Sequence, residues 1–393
     1  MFKQQEFFFK KKGGLYLKLI RFLFFFHTCN LSKYMKLSYV DLSERIEKID
    51  PIEYGKSRNY LSGAVTYLAP YISRGVISTK QVFDSVLKRG YDVDEIESFL
   101  KELAWRDYWQ QIWVVRGADI NSDFRNSQPR SERSGVPINI INGQTGIEAI
   151  DKGIAEFYKT GYLHNHMRMY IASCATNLGR CAWIQPAQWM YYHLLDADWA
   201  SNALSWQWVC GAKSNKLYFA NQENINKYCN TNQTNTFLDV SYEEIEALGI
   251  PNELSDLETF QLKTKLPNTS FPAIQNGEMC FIYNFYNLDP QWRKDEEGAR
   301  ILLLEPSVFE KYPVSEKSIQ FCIDLAIANI PNIQIFVGEF PDLQSVADVN
   351  FIFKEHPLNN YEGMQDERDW ISSVQGEYPS FFAFWKKVKK ELR

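Results

Sequence analysis

The two most informative stretches of the chain are TGYLHNHMRMYIAS (160–173) and LLDADWASNALSWQWVCG (194–211). Apolar residues recur at helical spacing over residues 164–180 and 197–211, so both of these regions are predicted to be helices. Each stretch also places charged side chains among the apolar ones, with Arg168 in the first and Asp196 and Asp198 in the second. Taken alone, the two aspartates would cap a helix, and Arg168 would form an ion pair at the surface.

Helical periodicity extends on both sides of these stretches, from about residue 40 to residue 250. The segment 93–117 has an apolar face, and Asp94 stands where a helix cap is expected. Ser78 is expected to cap the preceding helix. Residues 119–145 are rich in Asn, Ser, Pro and Gly and are predicted to form a loop. The sequence therefore predicts an all-helical domain over residues 35–250.

The pattern changes after about residue 268. Four short apolar runs follow, namely MCFIYNF (279–285), ARILLLEP (299–306), IQIFVGEF (333–340) and VNFIFKEHP (349–357). Helical patterns such as SEKSIQFCIDLAIANI lie between some of them, and this alternation predicts a small parallel α/β sheet. The last segment, SFFAFWKKVKKELR, is predicted to be an amphipathic helix. Residues 251–275 contain three prolines and are the expected linker, which assigns residues 276–393 to a small C-terminal α/β domain.

The charge of the chain is unevenly distributed. Its net charge is −5, but residues 1–34 carry a net +6, and residues 251–393 carry 14 basic and 22 acidic residues. A nucleic-acid-binding protein usually shows a basic surplus. Any contact with DNA must therefore come from a local patch.

Seven cysteines are present, an odd number, and no pair has the C-x-x-C spacing. This pattern disfavours a zinc site and a disulfide framework, so no metal is predicted. An iron–sulfur cluster built from scattered cysteines is an open alternative. Reduced thiols in a cytoplasmic protein are the expected state.

The first 34 residues differ from the remainder of the chain. Their apolar part is interrupted by Lys18 and Arg21 and is shorter than the roughly 20 residues that a membrane span needs. A cleaner helical pattern begins at Met35, which suggests either that translation starts there or that a targeting segment precedes it. In either case residues 1–34 are expected to be poorly ordered, and no membrane association is predicted.

Four segments in sequence order resemble the FAD-binding domain of DNA photolyases and cryptochromes. They are VTYLAPYISRGVIS (65–78), FLKELAWRDYW (99–109) and the two stretches at 160–173 and 194–211. The resemblance covers roughly residues 52–230. It implies an all-helical domain that binds FAD, and a deoxyribodipyrimidine photo-lyase that uses blue light to repair cyclobutane pyrimidine dimers in DNA.

The resemblance also assigns residues to the cofactor. Thr66 and Leu68 would serve the phosphates, Asp196 and Asp198 the ribityl chain and ring edge, and Asn202 would face flavin N5. Arg168 would pair with Asp196 beside the ring. The remaining implied cofactor contacts are Tyr54 and Arg106.

On the substrate side, Glu102 matches the carboxyl group that hydrogen-bonds the dimer, and Trp105 matches the ring that stacks on it. Asn165 and Met169 match other lining groups. The dipeptide His164-Asn165 favours a cyclobutane-dimer enzyme over a (6-4) enzyme.

The sequence departs from the family pattern at the expected DNA contacts. His166 stands where the family usually has Arg, and Asn224 where some photolyases use Gln. Phe99 replaces a frequent Trp, and Ala69 replaces a common phosphate-binding Ser. A mostly neutral His in place of Arg should weaken DNA binding.

The electron path of the family is only partly present. Trp206 matches its inner member and Trp183 its middle member, but residues 123–141 contain no Trp for the outer position. Trp189, Trp199 or a Tyr would have to serve as another exit.

Two functions follow from the resemblance. The first is dimer repair, with single- or double-stranded damaged DNA as the partner. The second is a cryptochrome-like photoreceptor that signals to a protein partner, for example through the acidic C-terminal domain. Only about 50 residues precede the first flavin-binding match, so no N-terminal antenna domain is expected, and no antenna pigment is predicted.

Overall fold

The computed structural model describes residues 38–214, 216–345 and 348–392. The predictions for residues 1–34 lie outside the described residues. The helices of the first part are α1 (Tyr39–Glu47), α2 (Pro51–Ser57), α3 (Ala69–Ser73), α4 (Thr79–Leu87), α5 (Glu97–Arg116), α6 (Ile138–Asn142), α7 (Glu148–Thr160), α8 (Asn165–Ala172), α9 (Ile184–His193), α10 (Trp199–Val209), α11 (Gln222–Cys229) and α12 (Tyr242–Ala247). A π-helical stretch (Ser173–Leu178) continues α8, and short 3-10 helices cover Gly117–Asn121 and Asn252–Leu254.

Side-chain caps fix the first residue of several of these helices. Ser78 Oγ accepts a hydrogen bond from Gln81 N at 3.0 Å, so the predicted cap of α4 is present. Asp50 caps α2, and Asp198 caps α10. In each case the side chain satisfies backbone N–H groups that the helix itself leaves without a partner.

Two local predictions are wrong. Helix α5 begins at Glu97 without a side-chain cap, and Asp94 lies in the preceding turn, where its carboxylate pairs with Lys389 at 2.5 Å. Apolar spacing located the buried face of α5 but not its first residue. The 119–145 segment is also more regular than predicted, because it contains α6 and a short strand, β1 (Val136–Pro137).

The strands of the second part are β2 (Leu257–Glu258), which pairs with β1, and then β3 (Met279–Tyr283), β4 (Ala299–Leu304), β5 (Gln334–Val337), β6 (Asn350–Lys354) and β7 (Met364–Asp366). Strands β3 to β7 form a five-stranded, all-parallel sheet of order β5-β4-β3-β6-β7. The four predicted apolar runs form β3, β4, β5 and β6. Strand β7 was missed because it is short and polar.

Helices cover both faces of this sheet, as parallel strands require. The helices of the second part are α13 (Pro306–Lys311), α14 (Glu316–Asn329), α15 (Phe340–Gln344) and α16 (Phe381–Glu391). All six residues of β4 are buried. Its Leu302 shares one core cluster with Cys322 of α14, and its Leu303 shares the other with Phe340 of α15.

The helical part and the sheet part pack through one continuous core. Phe321 of α14 meets Tyr71 of α3 edge to face, with ring centroids 5.8 Å apart. Ser318 Oγ donates a hydrogen bond to the Leu194 carbonyl at 3.0 Å. The Arg74 guanidinium lies 3.4 Å from the centroid of the Phe285 ring.

The last part of the chain, residues 368–391, follows α5 and is called the C-terminal segment below. Its Ile371 N–H donates to Asp107 Oδ2 at 2.8 Å, and its Lys389 pairs with Glu97 at 2.9 Å. Phe381 packs on Trp105 between these two contacts. The C-terminal segment therefore covers the helix that carries Glu102, Trp105 and Arg106.

Candidate functional site

Asp196 is the buried centre of a cluster of charged side chains. Arg168 Nη2 donates to both of its carboxylate oxygens, at 2.9 and 3.0 Å, and Arg106 Nη2 lies 3.8 Å away. Burial by itself would raise the pKa of Asp196, but the two arginines outweigh it and hold the pKa below its usual value. The Arg168–Asp196 pair implied by the sequence is therefore present.

Backbone and hydroxyl contacts bring several helices to this cluster. Ser73 Oγ, at the end of α3, accepts from Arg106 Nη1 at 2.9 Å and donates to the Asp196 carbonyl at 3.1 Å. His164 Nδ1 accepts from the His166 N–H at the start of α8, one turn before Arg168. Helices α3, α5 and α8 thus meet beside the segment that precedes α10.

Asp198 is pinned on both of its oxygens. Oδ1 accepts from Ser201 N at 2.7 Å, as a helix cap, and Oδ2 accepts from Gln110 Nε2. Asn202 is buried on the first turn of α10, where its amide donates to the Ala187 carbonyl at 2.8 Å. These hydrogen bonds fix the orientations of the Asp198 and Asn202 side chains.

The predicted phosphate-binding residues lie in a turn of unusual backbone conformation. Tyr67, between Thr66 and Leu68, has φ +55°, a region that non-glycine residues seldom adopt and that clusters at functional sites. Leu68 N donates to Thr66 Oγ1 over a long 3.4 Å. Tyr54 lies on α2, meets Phe99 edge to face at 5.0 Å, and has its pKa raised by burial and by the nearby Glu102.

Glu102 forms an ion pair with Arg58, at 2.8 Å from Nη1 to Oε1. Burial raises the pKa of Glu102 in spite of this arginine, yet 29% of its side-chain surface is accessible. The Glu102 carboxyl group is thus only partly shielded from water. No sequence pattern indicated Arg58, although it follows Tyr54 by four residues and so shares its helical face.

These residues fit the cofactor that the sequence implies. Two cations, Arg106 and Arg168, lie against the single carboxylate of Asp196, and such guanidinium groups are suited to an anionic diphosphate. His164 Nε2 is buried and has no hydrogen-bond partner among the described residues. Such a buried polar atom costs free energy unless a ligand or water satisfies it.

Trp105 is covered by the C-terminal segment. Its ring stacks on Phe381 with centroids 3.7 Å apart and planes 11° apart, and Trp109 lies at 4.8 Å. Asn165 and Met169 lie together on α8, with Asn165 Nδ2 3.9 Å from Met169 Sδ, and Asn165 is exposed. The Trp105 ring, predicted to stack on the substrate, therefore already has a stacking partner within the chain.

The two predicted DNA contacts are engaged within the protein. His166 Nδ1 lies 2.7 Å from the Asn59 carbonyl and so must donate to it, which leaves Nε2 for any ligand. The His166 ring stacks on Tyr170, whose hydroxyl donates to Asn224 Oδ1 at 2.8 Å. Burial lowers the pKa of His166, so its imidazole is neutral at neutral pH.

The predicted electron-transfer tryptophans are both buried. Trp183 Nε1 donates to Asp123 Oδ1 at 2.8 Å, in the segment where the family's outer Trp was sought. Trp189 and Trp199, the suggested exits, are also buried. Trp208 was not considered from the sequence, although it lies on the same helix as Trp206 and is 40% exposed.

Comparison with known proteins identifies the helical part. Residues 99–242 match the family described as the FAD binding domain of DNA photolyase. The chain is 28% identical over 157 residues to a deoxyribodipyrimidine photo-lyase of Alkalihalophilus pseudofirmus, and 27% identical over 192 residues to cryptochrome-1 of Arabidopsis thaliana. The matches cover 39% and 44% of this chain, and 33% and 27% of those relatives, so the chain spans about a third of their length.

Among solved structures, the chain resembles a bacterial class III photolyase from Agrobacterium tumefaciens. The TM-score is 0.42 at 18% identity, over 53% of this chain and 54% of that one. Within the described ranges, no helix has the length and apolarity needed to cross a membrane. Within the same ranges, no group of three or more His, Cys, Asp and Glu side chains is placed to hold a metal ion.

Proposed function

Because the chain belongs to the DNA photolyase/cryptochrome family and has its FAD-binding domain, we propose that it repairs cyclobutane pyrimidine dimers in DNA by light-driven electron transfer. The observation that supports this proposal is the buried Arg168–Asp196 pair with Arg106 beside it, and the Arg58–Glu102 pair one turn away along α5. Bound FAD would supply the light absorption and the electron.

The residues of the chain would hold the cofactor by charge and by orientation. The backbone around Thr66 and Leu68, together with Arg106, would meet the phosphates. Arg168 neutralises Asp196 and so lets a buried carboxylate accept hydrogen bonds beside the ring. Asn202 would offer an uncharged amide to flavin N5, and an amide brings no negative charge near an electron-rich ring.

Glu102 and Arg58 would act on the substrate. A dimer that receives an electron becomes negative at its carbonyl oxygens, and preorganised donors lower the energy of that charge. Burial raises the pKa of Glu102, so a proton that it could donate to such an oxygen is taken up more readily than by an exposed carboxyl group. Arg58 lies 2.8 Å away and would add a fixed positive charge. Asn165 and Met169 would line the same side.

The experiment compares the repair activity of variants at two neighbouring carboxyl groups, Glu102 and Glu95. The purified protein should show flavin absorption in the blue and, once reduced and irradiated, should restore dimer-containing oligonucleotides. Glu102→Ala should lose most of this activity while keeping its flavin, and Glu95→Gln, an exposed carboxyl nearby, should match the wild type. Unaltered repair in Glu102→Ala would contradict the proposed role of this residue.

One observation favours a second function, a photoreceptor that signals to a protein partner. Phe381 occupies one face of Trp105, the ring on which a dimer would stack. If this contact persists in solution, flavin binding would occur without repair. Tight flavin binding together with unchanged dimers after irradiation would support this second function over the first.

A further inference from the structure

The C-terminal segment is also connected to Asp198, through the side-chain amide of Gln110. Arg368 Nη1 donates to Gln110 Oε1 at 2.7 Å, and Gln110 Nε2 donates to Asp198 Oδ2. Gln110 and Asp198 are both buried, and Arg368 is half-buried. The three side chains form one line from the sheet part of the chain to the start of α10.

Arg368 and Asp198 together fix the orientation of the Gln110 amide. A guanidinium only donates hydrogen bonds and an ionised carboxylate only accepts them. The amide oxygen must therefore face Arg368, and the amide N–H must face Asp198. A cation on the oxygen side polarises the amide and strengthens the hydrogen bond that it donates.

The position of Arg368 is itself held by α5. Ile371, three residues further along, donates its N–H to Asp107 Oδ2 at 2.8 Å, and Thr79 donates to the other oxygen of Asp107 at 2.6 Å. Asp107 and Gln110 are three residues apart and so share one face of the helix. Arg368 is thus presented to Gln110 by a second, independent contact.

We infer that Arg368 is a positioning residue for the flavin site, acting on Asp198 through Gln110. With Ser201 N on one oxygen and the polarised Gln110 amide on the other, the carboxylate is fixed in place and part of its negative charge is withdrawn. This role rests on the proposed binding of flavin beside Asp198. It makes the sheet part of the chain a component of the flavin site.

The consequence is a change in how readily the flavin is reduced. Without Arg368, Asp198 keeps more of its negative charge beside the ring, and that charge opposes the arrival of an electron. In Arg368→Gln the one-electron equilibrium should shift toward oxidised flavin by about tenfold, which corresponds to a fall of about 59 mV in the midpoint potential.

The test uses the full-length, flavin-loaded protein and a double-mutant cycle. Midpoint potentials are measured by spectroelectrochemical titration for the wild type, Arg368→Gln, Gln110→Met and the double variant. Because Arg368 acts through Gln110, the double variant should show no larger shift than Gln110→Met alone. Arg368→Lys keeps the charge and should lie close to the wild type.

Arg116→Gln is the matched control. Arg116 also joins α5 to the C-terminal segment, through Glu377 at 2.7 Å, and in the part of the chain that the structure describes no hydrogen bond or ion pair joins Arg116 or Glu377 to Asp198. It should lower thermal stability about as much as Arg368→Gln and leave the potential unchanged. Equal potentials in the wild type and Arg368→Gln, or equal shifts in both arginine variants, would overturn the inference. A wild-type protein that binds no flavin would instead overturn the proposed function.

Discussion

The contact between Phe381 and Trp105 makes a sharp prediction about access to the candidate substrate face. Phe381 is 2% exposed and also meets Tyr108 edge to face at 5.8 Å. Phe381→Ala removes a buried aromatic ring, a change that costs about 3–5 kcal/mol in the free energy of unfolding. Phe381→Leu keeps most of the apolar volume and loses the stacking contribution of about 0.5–1.5 kcal/mol.

Phe381→Ala should also make the Trp105 ring accessible to solvent and to ligands. If Phe381 competes with a dimer for this ring at about 1 kcal/mol, removing it should raise affinity for a dimer-containing oligonucleotide about fivefold. Urea denaturation measures the stability loss, and fluorescence anisotropy of a labelled oligonucleotide measures the affinity. Acrylamide quenching of tryptophan fluorescence reports how exposed Trp105 has become. The contribution of Trp105 is obtained by comparing each protein with the same protein carrying Trp105→Phe.

Phe382 provides the control, because it is adjacent in sequence and 67% exposed. Phe382→Ala should change the free energy of unfolding by less than about 0.5 kcal/mol, as surface substitutions usually do. The reasoning fails if Phe381→Ala is as stable as Phe382→Ala and leaves the quenching of Trp105 unaltered. Unchanged affinity for damaged DNA, in a variant with an exposed Trp105, would remove Trp105 from the proposed substrate site.

Three further predictions concern the charged and aromatic groups of the site. The pKa of Asp196 is lowered in the folded state, so the stability that its carboxylate contributes is fully present above its unfolded pKa of about 3.8. That stability is lost as the pH falls through the folded pKa. The difference in the free energy of unfolding between wild type and Asp196→Asn, measured by urea denaturation, should therefore become smaller in acid and not in base. His166→Arg should strengthen DNA binding and steepen its salt dependence by about 0.9 in the logarithmic slope, as one added phosphate contact would; an unaltered slope would contradict this contact. Trp183→Phe should slow the light-driven reduction of oxidised flavin, measured by absorbance under continuous illumination with an external reductant. An unchanged rate would show that electrons reach Trp206 by another route.

The sequence was informative where structure depends on local pattern or on a short motif. Four apolar runs became β3 to β6 because buried parallel strands need continuous apolar residues. The pairing of Arg168 with Asp196 followed from two motifs that each carry one partner. The signal for the strands is local, whereas Arg168 and Asp196 are 28 residues apart and their pairing was implied by the resemblance.

The remaining contacts of the site are set by distant parts of the chain. Phe381 reaches Trp105 and Arg368 reaches Gln110 from more than 250 residues away, so no periodicity around α5 could reveal them. Arg58 was missed for another reason. An arginine near a helix end is usually a solvated surface residue, and only its 2.8 Å contact with Glu102 connects it with the candidate site.

These long-range contacts imply that the helical part and the sheet part unfold together. Between them lie the Tyr71–Phe321 contact and the fully buried Arg74 side chain over Phe285, and separation would expose both to water. Urea unfolding should therefore show a single transition, with the same midpoint by far-ultraviolet circular dichroism and by tryptophan fluorescence. Arg74→Met should lower that midpoint for both probes equally, since the shared core carries the coupling. Two separate midpoints in the wild type would mean that the sheet part is an independent module, and the C-terminal segment could then leave α5 without unfolding the flavin site.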